Sequence, residues 1–355
     1  MPAPRDIPLI PLTEATHDAA PDDAPQPEAP TPMNTPEAVP KLPQSDRYEV
    51  QQLIGIGGMG KVYKAFDRKL KRMVALKFLR GADVALERRF LKEAQAQARV
   101  DHQNVCQVHD VGRIGEEPYI AMQYIEGKTL RDAAPKMSLD QKLLVMRDIA
   151  EAVYAAHALG LIHRDIKPAN ILVEKNLRAF ITDFGLARDL EGSGETLQGA
   201  LVGTPQYMAP EQAKGDIKLL DARTDVYGLG ATLYEALTGR PPFDGNSQLT
   251  TLYKMVHEQP PKPSRHAPGL PADVETVVLK CLEKEPDRRY QSAHELAEEL
   301  QRLRDGEPIQ ARPPRLIDRV WRKVRRNKAL AAALLALVLV VLAPPVYRFF
   351  EHEAP

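Results

Sequence analysis

The sequence predicts an α+β fold built as two lobes, and three observations predict it. From Tyr48 to Tyr124, apolar residues alternate in short strand-like runs interrupted by a single helical stretch. Beyond Gly127 the periodicity becomes that of long amphipathic helices. Apart from both lies an unbroken apolar run of fifteen residues, Ala329 to Ala343, with Arg and Lys gathered on one side of it. The expected plan is a tail over 1–45, a folded body over 48–303 divided into 48–126 and 127–303, a basic linker over 304–328, a transmembrane helix over 329–347 and a short end over 348–355.

In chain order, proline recurs every few residues from Met1 to Ser45 among Ala, Thr, Asp and Glu. Such a stretch cannot bury enough apolar area to offset the entropy of ordering, so it reads as a disordered acidic tail. Strand signals begin at Tyr48-Glu49-Val50, pass through a glycine cluster into Lys61–Ala65, and resume over Met73–Phe78. Leu86 to Val100 reads as a helix, rich in Ala, Gln, Glu and Arg with Phe90, Leu91 and Ala94 apolar. Two further strand-like runs cover Val105–Val111 and Tyr119–Tyr124. Helices are then expected at Leu139–Leu159, Thr224–Leu237, Thr250–Glu258, Ala272–Leu282 and Ala293–Leu303, with the pairs Pro241-Pro242 and Pro260-Pro261 as breakers between them.

Composition narrows the function classes. Forty-eight basic residues balance 48 acidic ones, so no nucleic-acid partner is implied for the chain as a whole. The balance hides an acidic start and a basic segment from Arg312 to Lys328. Cys106 and Cys281 are the two cysteines, with no CxxC spacing, which argues against a disulfide framework or a zinc site and suits a reducing cytoplasm. No apolar h-region of a secretory signal opens the sequence, so the N-terminal part is expected in the cytosol.

Three motifs carry chemistry. Ile54-Gly55-Ile56-Gly57-Gly58-Met59-Gly60-Lys61-Val62 is a glycine-rich turn in which absent side chains let backbone amides approach phosphates. A dinucleotide-binding unit requires a helix directly after such glycines, whereas Val62-Tyr63-Lys64-Ala65 reads as a returning strand. Val74-Ala75-Leu76-Lys77 then places a lysine on a strand. His163-Arg164-Asp165-Ile166-Lys167-Pro168-Ala169-Asn170, followed by a short apolar run and Asp183-Phe184-Gly185, sets a candidate base, a charge-neutralising lysine and two oxygen ligands in the order phosphoryl transfer requires.

Together these motifs, with Gly203-Thr204-Pro205-Gln206-Tyr207-Met208-Ala209-Pro210-Glu211, resemble the bacterial serine/threonine protein kinases of Hanks type over about Tyr48 to Leu303. The resemblance implies the bilobal protein-kinase fold, ATP and Mg2+, and protein substrates with Ser or Thr acceptors. It implies that Lys77 holds the α- and β-phosphates and is fixed by Glu93, and that Asp165 accepts the hydroxyl proton while Lys167 offsets γ-phosphoryl charge. Asn170 and Asp183 are implied as the Mg2+ ligands. Met122 takes the gatekeeper position, Gln123-Tyr124-Ile125 the hinge, and Val62, Ala75 and Leu172 the walls around adenine. Three structural roles are also implied: Glu211 pairs with Arg289, Asp225 holds the catalytic-loop backbone, and Thr204 shapes the acceptor pocket. Arg164 is expected to bind a phosphate on the activation segment, with Ser193, Thr196 or Thr204 as acceptors and a dimer as the route to phosphorylation in trans. Thr129 and Ala169 stand where arginine-directed members of the family often carry acids, which argues against a strong basic preference in the substrate. The competing reading is a pseudokinase scaffold, against which stand Lys77, Glu93, Asp165, Asn170 and Asp183, all present.

At 1.5 Å per residue the apolar run spans roughly 23 Å as a helix, short of the ~30 Å hydrocarbon core. Val346, Tyr347, Phe349 and Phe350 with snorkelling lysine extend it. Arg319, Arg322, Lys323, Arg325, Arg326 and Lys328 mark the cytoplasmic side and would meet anionic lipid, so the expectation is one pass through the inner membrane with the folded body in the cytoplasm.

Overall fold

The computed structural model describes residues 43–57, 60–79, 84–184, 205–216 and 219–312. The expected tail up to residue 42, the basic flank and the apolar run lie outside the described residues. Among the described residues no helix is long and apolar enough to cross a membrane.

The first lobe is a five-stranded antiparallel sheet in the order β1-β2-β3-β5-β4, formed by Tyr48–Gly57, Gly60–Asp67, Arg72–Leu79, Glu117–Gln123 and Val108–Ile114 respectively. Helix α1, Val84–Ala98, packs on β4 and β5. Apolar side chains of these strands alternate between two buried clusters, one with Tyr48, Tyr63, Leu76 and Tyr119 and the other with Ala75, Ile120 and Met122, where Phe90 of α1 joins them. That division follows from the period of two, which sends successive side chains to opposite faces.

The expected strand from Val105 begins later, at Val108. Val105 and Cys106 turn toward the second lobe instead, where the Cys106 N–H donates to the Ile181 carbonyl at 2.9 Å and the Ile181 N–H to the Asn104 carbonyl at 2.8 Å. Backbone groups satisfied there are not free for the first sheet.

The second lobe is helical, as expected, with one element the periodicity did not reveal. A small sheet of β6 (Gly127–Thr129), β7 (Ile171–Glu174) and β8 (Ala179–Ile181) lies within it. Strands of three or four residues are too short for a period of two to show. Helices α2 (Leu130–Ala133), α3 (Leu139–Ala158), α4 (Pro210–Lys214), α5 (Ala222–Thr238), α6 (Gln248–His257), α7 (Ala272–Cys281) and α8 (Ala293–Asp305) complete it.

Local chemistry sets the helix ends. Ser138 and Gln141 form a reciprocal capping box at α3, Ser247 and Ser292 cap α6 and α8, and Asp221 caps α5. Helix α5 is the centre of the lobe, buried without a break from Thr224 to Tyr234. A Cβ on its Gly230 would lie 2.3 Å from the Cys281 Cβ, so α7 can approach only a glycine.

The packed body continues beyond α8. Ala311 is buried, and its N–H donates to Glu299 Oε1 at 2.9 Å, so the chain after Gly306 folds back over the helix it has just left. Glu299, itself buried, takes its second bond from Arg302 at 3.2 Å.

Candidate functional site

Side chains from both lobes face one cleft. On the upper wall, β1 and β2 form the glycine hairpin, with Gly57 opposite Gly60. Gly58 and Met59 lie outside the described residues. The remaining glycines differ in why they are needed. A Cβ on Gly60 would lie 1.7 Å from the Phe78 carbonyl oxygen, so this position must be bare for β2 to pass β3. A Cβ on Gly57 would meet nothing within 4 Å, and one on Gly55 only the Val62 Cβ at 3.8 Å. Those two have room for a side chain. Ile54, Ile56 and Lys61 are not buried either, with Ile56 67% exposed.

Behind the hairpin, Val62, Ala75, Met122, Ile125 and Leu172 pack into one apolar cluster with Phe180. All the residues expected around an adenine ring are thus neighbours, with Leu172 supplied from the second lobe. At the expected hinge, the Gln123 N–H is given to the Gln107 carbonyl at 2.8 Å, and its own carbonyl receives the weak Cys106 Sγ–H at 3.5 Å.

Lys77, buried in β3, donates from Nζ to Asp183 Oδ1 at 2.6 Å across the cleft. Burial works against its charge, yet the Asp183 charge and hydrogen bond, joined by the nearby charges of Glu93 and Asp165, hold its pKa above the ordinary lysine value. Burial likewise disfavours the charged Asp183 carboxylate, and Lys77 outweighs it, keeping the pKa below the ordinary carboxylate value. Glu93, on the inner face of α1, is buried and contributes to the field that fixes Lys77.

The lower wall is the 163–170 loop. Asp225, buried in the first turn of α5, accepts the His163 N–H at 2.7 Å and the Arg164 N–H at 2.8 Å, and faces His157 Nε2 at 2.8 Å. Burial alone would raise the Asp225 pKa, but His157 and the backbone donors bring it below the usual range. Burial lowers the His163 pKa, disfavouring the charged ring. Its Nδ1 accepts the Asp165 N–H at 3.3 Å, which leaves Nε2 as the donor to the Thr182 carbonyl at 3.1 Å. The Phe184 ring packs 4.6 Å from the His163 ring, tying the loop to the strand end that carries Asp183. Arg164 and Asp183 both adopt left-handed backbone, φ 64° and 60°, without being glycine. Strain of that kind persists only where surrounding bonds over-determine the chain, and here the Asp225 and Lys77 bonds do so.

Within the loop, Asp165 Oδ2 receives Lys167 Nζ at 2.7 Å and Asn170 Nδ2 at 3.1 Å, and the same Asn170 amide donates to the Asp165 carbonyl at 2.9 Å. With its amide nitrogen spent on Asp165, Asn170 offers its oxygen as a ligand. That oxygen and the Asp183 carboxylate form an all-oxygen pair, which suits a hard cation of the Mg2+ type bound between protein and phosphate.

The acceptor side is described from Pro205. Ser193, Thr196 and Thr204 lie outside the described residues. Glu211 of α4 and Arg289 form a buried bidentate pair at 2.7 and 2.8 Å, and Gln212 Nε2 donates to the Arg164 carbonyl at 3.0 Å, so α4 is pinned both to the base of the lobe and to the 163–170 loop. One cluster had no signal in the sequence: Arg131, Tyr207 and Glu235, which meet from α2, the acceptor segment and α5. Residues 76 and 28 positions apart cannot be paired by spacing alone.

A family model described as the protein kinase domain matches residues 48–300. The serine/threonine-protein kinase PknB of Mycobacterium tuberculosis is 44% identical over 279 residues, which cover 75% of this chain and 44% of that protein. PknB of Mycobacterium leprae is 43% identical over 278 residues, 75% of this chain and 44% of that one. A probable serine/threonine-protein kinase of Streptomyces coelicolor, SCO3848, is 41% identical over 277 residues, 75% of this chain and 41% of the relative. The matched region is thus less than half the length of these curated relatives. Among solved structures, Rad53 in complex with AMP-PNP shares the fold with a TM-score of 0.58 at 23% identity, over 71% of this chain and 64% of that one.

Proposed function

The chain belongs to the protein kinase domain family, and on that premise we propose that it transfers the γ-phosphoryl group of ATP to serine and threonine hydroxyls of proteins. The observation that carries this reading is the convergence of Asp165, Lys167 and Asn170 on one oxygen, facing Asp183 where Lys77 holds it. Asp165 takes the proton of the acceptor hydroxyl as its oxygen forms the new bond to phosphorus. The bond from that phosphorus to the β–γ bridging oxygen breaks, ADP leaves, and the proton passes from Asp165 to solvent. Lys167 offsets charge on the transferring phosphoryl group, and Lys77, backed by Glu93, orients the α- and β-phosphates. Asn170 and Asp183 would hold Mg2+, which would supply neutralisation of the phosphate charge.

The hairpin Ile54–Val62 covers the phosphates, Gln123 and Ile125 meet the adenine edge with their main chain, and Val62, Ala75 and Leu172 enclose the ring. We place the active chain at the inner membrane, crossing once through Ala329–Ala343 with the basic flank against anionic lipid on the cytoplasmic side; the sequence pattern supports this. Resistance to carbonate and high salt with release by detergent is the expected behaviour, and release by salt alone would refute it. Activation is assigned to phosphorylation of Ser193, Thr196 or Thr204 by a second copy, with Arg164 receiving the phosphate. Mass spectrometry of the active enzyme should find the modified residue, and full activity of a variant lacking all three hydroxyls would exclude it.

The main test is labelled-phosphate transfer by the full-length chain. Asp165→Asn should bind Mg2+-ATP as wild type does while transfer falls about 10²–10⁴-fold, the range of a general base. Near wild-type incorporation would refute the assignment.

A further inference from the structure

Arg131, Tyr207 and Glu235 form a cluster beside the acceptor segment that phosphoryl transfer itself leaves unused. Helix α2, which carries Arg131, packs against both Pro168–Asn170 of the catalytic loop and α5, so the cluster lies next to the approach to Asp165. Arg131 Nε donates to Glu235 Oε1 at 3.1 Å and Nη2 donates to Tyr207 Oη at 2.7 Å. The Tyr207 hydroxyl donates to the other Glu235 oxygen.

Both carboxylate oxygens are therefore taken, and the side chains are unequally exposed: Arg131 50%, Glu235 11%. A guanidinium has five N–H donors in a fixed fork, and three of the five of Arg131 are not used within the cluster. The nearest acid on the same helix, Asp132, is turned back on Thr129 Oγ1 at 2.6 Å, and Lys128 on β6 is exposed. A peptide approaching Asp165 from this side meets cationic donors and finds both oxygens of Glu235 already occupied.

We propose that Arg131, oriented by Glu235 and Tyr207, is a specificity-determining residue that favours acceptor sequences with an Asp or Glu side chain near the target hydroxyl. This inference rests on the protein kinase reading and adds a substrate class to it. An aligned carboxylate would gain a charge-assisted, fork-shaped contact, whereas an Arg or Lys at the same place would face the guanidinium.

The test uses the full-length chain in detergent with Mg2+-ATP and synthetic peptides in which one Ser or Thr sits in a neutral background. A single Glu or a single Arg is walked through the positions on both sides, and kcat/KM is compared for each pair. Wild type should prefer Glu over Arg by roughly three- to tenfold at one position or more, the scale of one exposed ion pair strengthened by a hydrogen bond. Arg131→Ala removes the cation and uncovers Glu235, so the ratio at that position should fall below one. Arg131→Lys keeps the charge without the fork and should retain a reduced preference for Glu. General damage to folding or transfer would lower both peptides alike and leave the ratio at its wild-type value, which would overturn the proposal. A wild-type ratio near one at every position would overturn it as well, with the kinase reading intact. If neither peptides nor the chain itself take up phosphate, the kinase reading falls and this inference falls with it.

Discussion

Two ion pairs bracket the candidate site, and they are built differently. Arg289 and Glu211 are sealed at the base of the helical lobe, with side chains 0% and 3% exposed. Beyond its two bonds to Glu211, Arg289 donates to the carbonyls of Arg223, Glu283 and Lys284, while Glu211 also receives the Thr224 hydroxyl at 3.0 Å. Lys77 and Asp183 span the cleft through the Nζ–Oδ1 bond, and Asp183 is 37% exposed. A charge pair that has lost its water needs every remaining donor and acceptor filled. A pair at the proposed substrate site needs the opposite, a carboxylate oxygen still accessible to a cation. The first pair fixes where α4 and the segment leading into it stand, and the second joins β3 of the first lobe to Asp183 of the second.

The largest effect on folding is expected from breaking the sealed pair. Arg289→Met leaves the Glu211 carboxylate buried without its cation and should cost about 3–5 kcal/mol, read as a lower urea midpoint. Replacing both partners, Arg289→Met with Glu211→Leu, should recover part of that loss, because no uncompensated charge remains. A double variant no more stable than the single one would show that the side-chain and carbonyl bonds, not the buried charge, hold α4.

The open pair should fail in the other sense. Lys77→Met should reduce phosphate transfer by about 100-fold or more, as loss of a preorganised cation at a developing charge does. Its urea midpoint should stay closer to wild type than that of Arg289→Met, since Asp183 keeps access to water and only Glu93 is left buried without the cation. Equal destabilisation by both variants would erase the distinction between the pairs.

Smaller effects separate the glycines of the hairpin. Gly60→Ala drives a methyl group into the Phe78 carbonyl and should cost about 1–3 kcal/mol, the usual range for overpacking. Gly57→Ala meets no atom and should shift the midpoint by under about 0.5 kcal/mol, as surface changes do, with its effect confined to nucleotide affinity measured by titration. A stability loss at Gly57 equal to that at Gly60 would contradict the open side of the hairpin.

The smallest effect concerns the end of the body. Truncation after Arg312 keeps the Ala311 N–H on Glu299, whereas truncation after Gly306 removes it. The shorter chain should be less stable by about 1–3 kcal/mol, the cost of leaving a buried acceptor short of a partner. Identical unfolding curves for the two truncations would show that the folded-back segment adds nothing.

Much of the site was legible because its residues are close in sequence and their spacing is the chemistry. Asp165, Lys167 and Asn170 share one loop, and the glycines of the hairpin share one turn, so residue type and interval alone point to a phosphate site. The helices α3, α5, α7 and α8 were readable within about two residues, because each carries a long apolar pattern and three of them, α3, α5 and α8, open on a side-chain cap. The β6–β8 sheet was not, since such short strands have no period of their own and exist because β7 and β8 pair between the catalytic loop and Asp183.

By itself the sequence determined the two-lobed body, the family it resembles and the residues proposed for the chemistry. Only the tertiary structure decided which glycine is demanded by packing, that Ala311 belongs to the core, that Lys77 reaches Asp183, and that Glu235 is engaged by Arg131 and Tyr207. The reason is physical. Local spacing encodes what one loop or one helix face can do. A contact between residues 76 or 106 positions apart depends on how separate elements pack, and no local pattern carries that information.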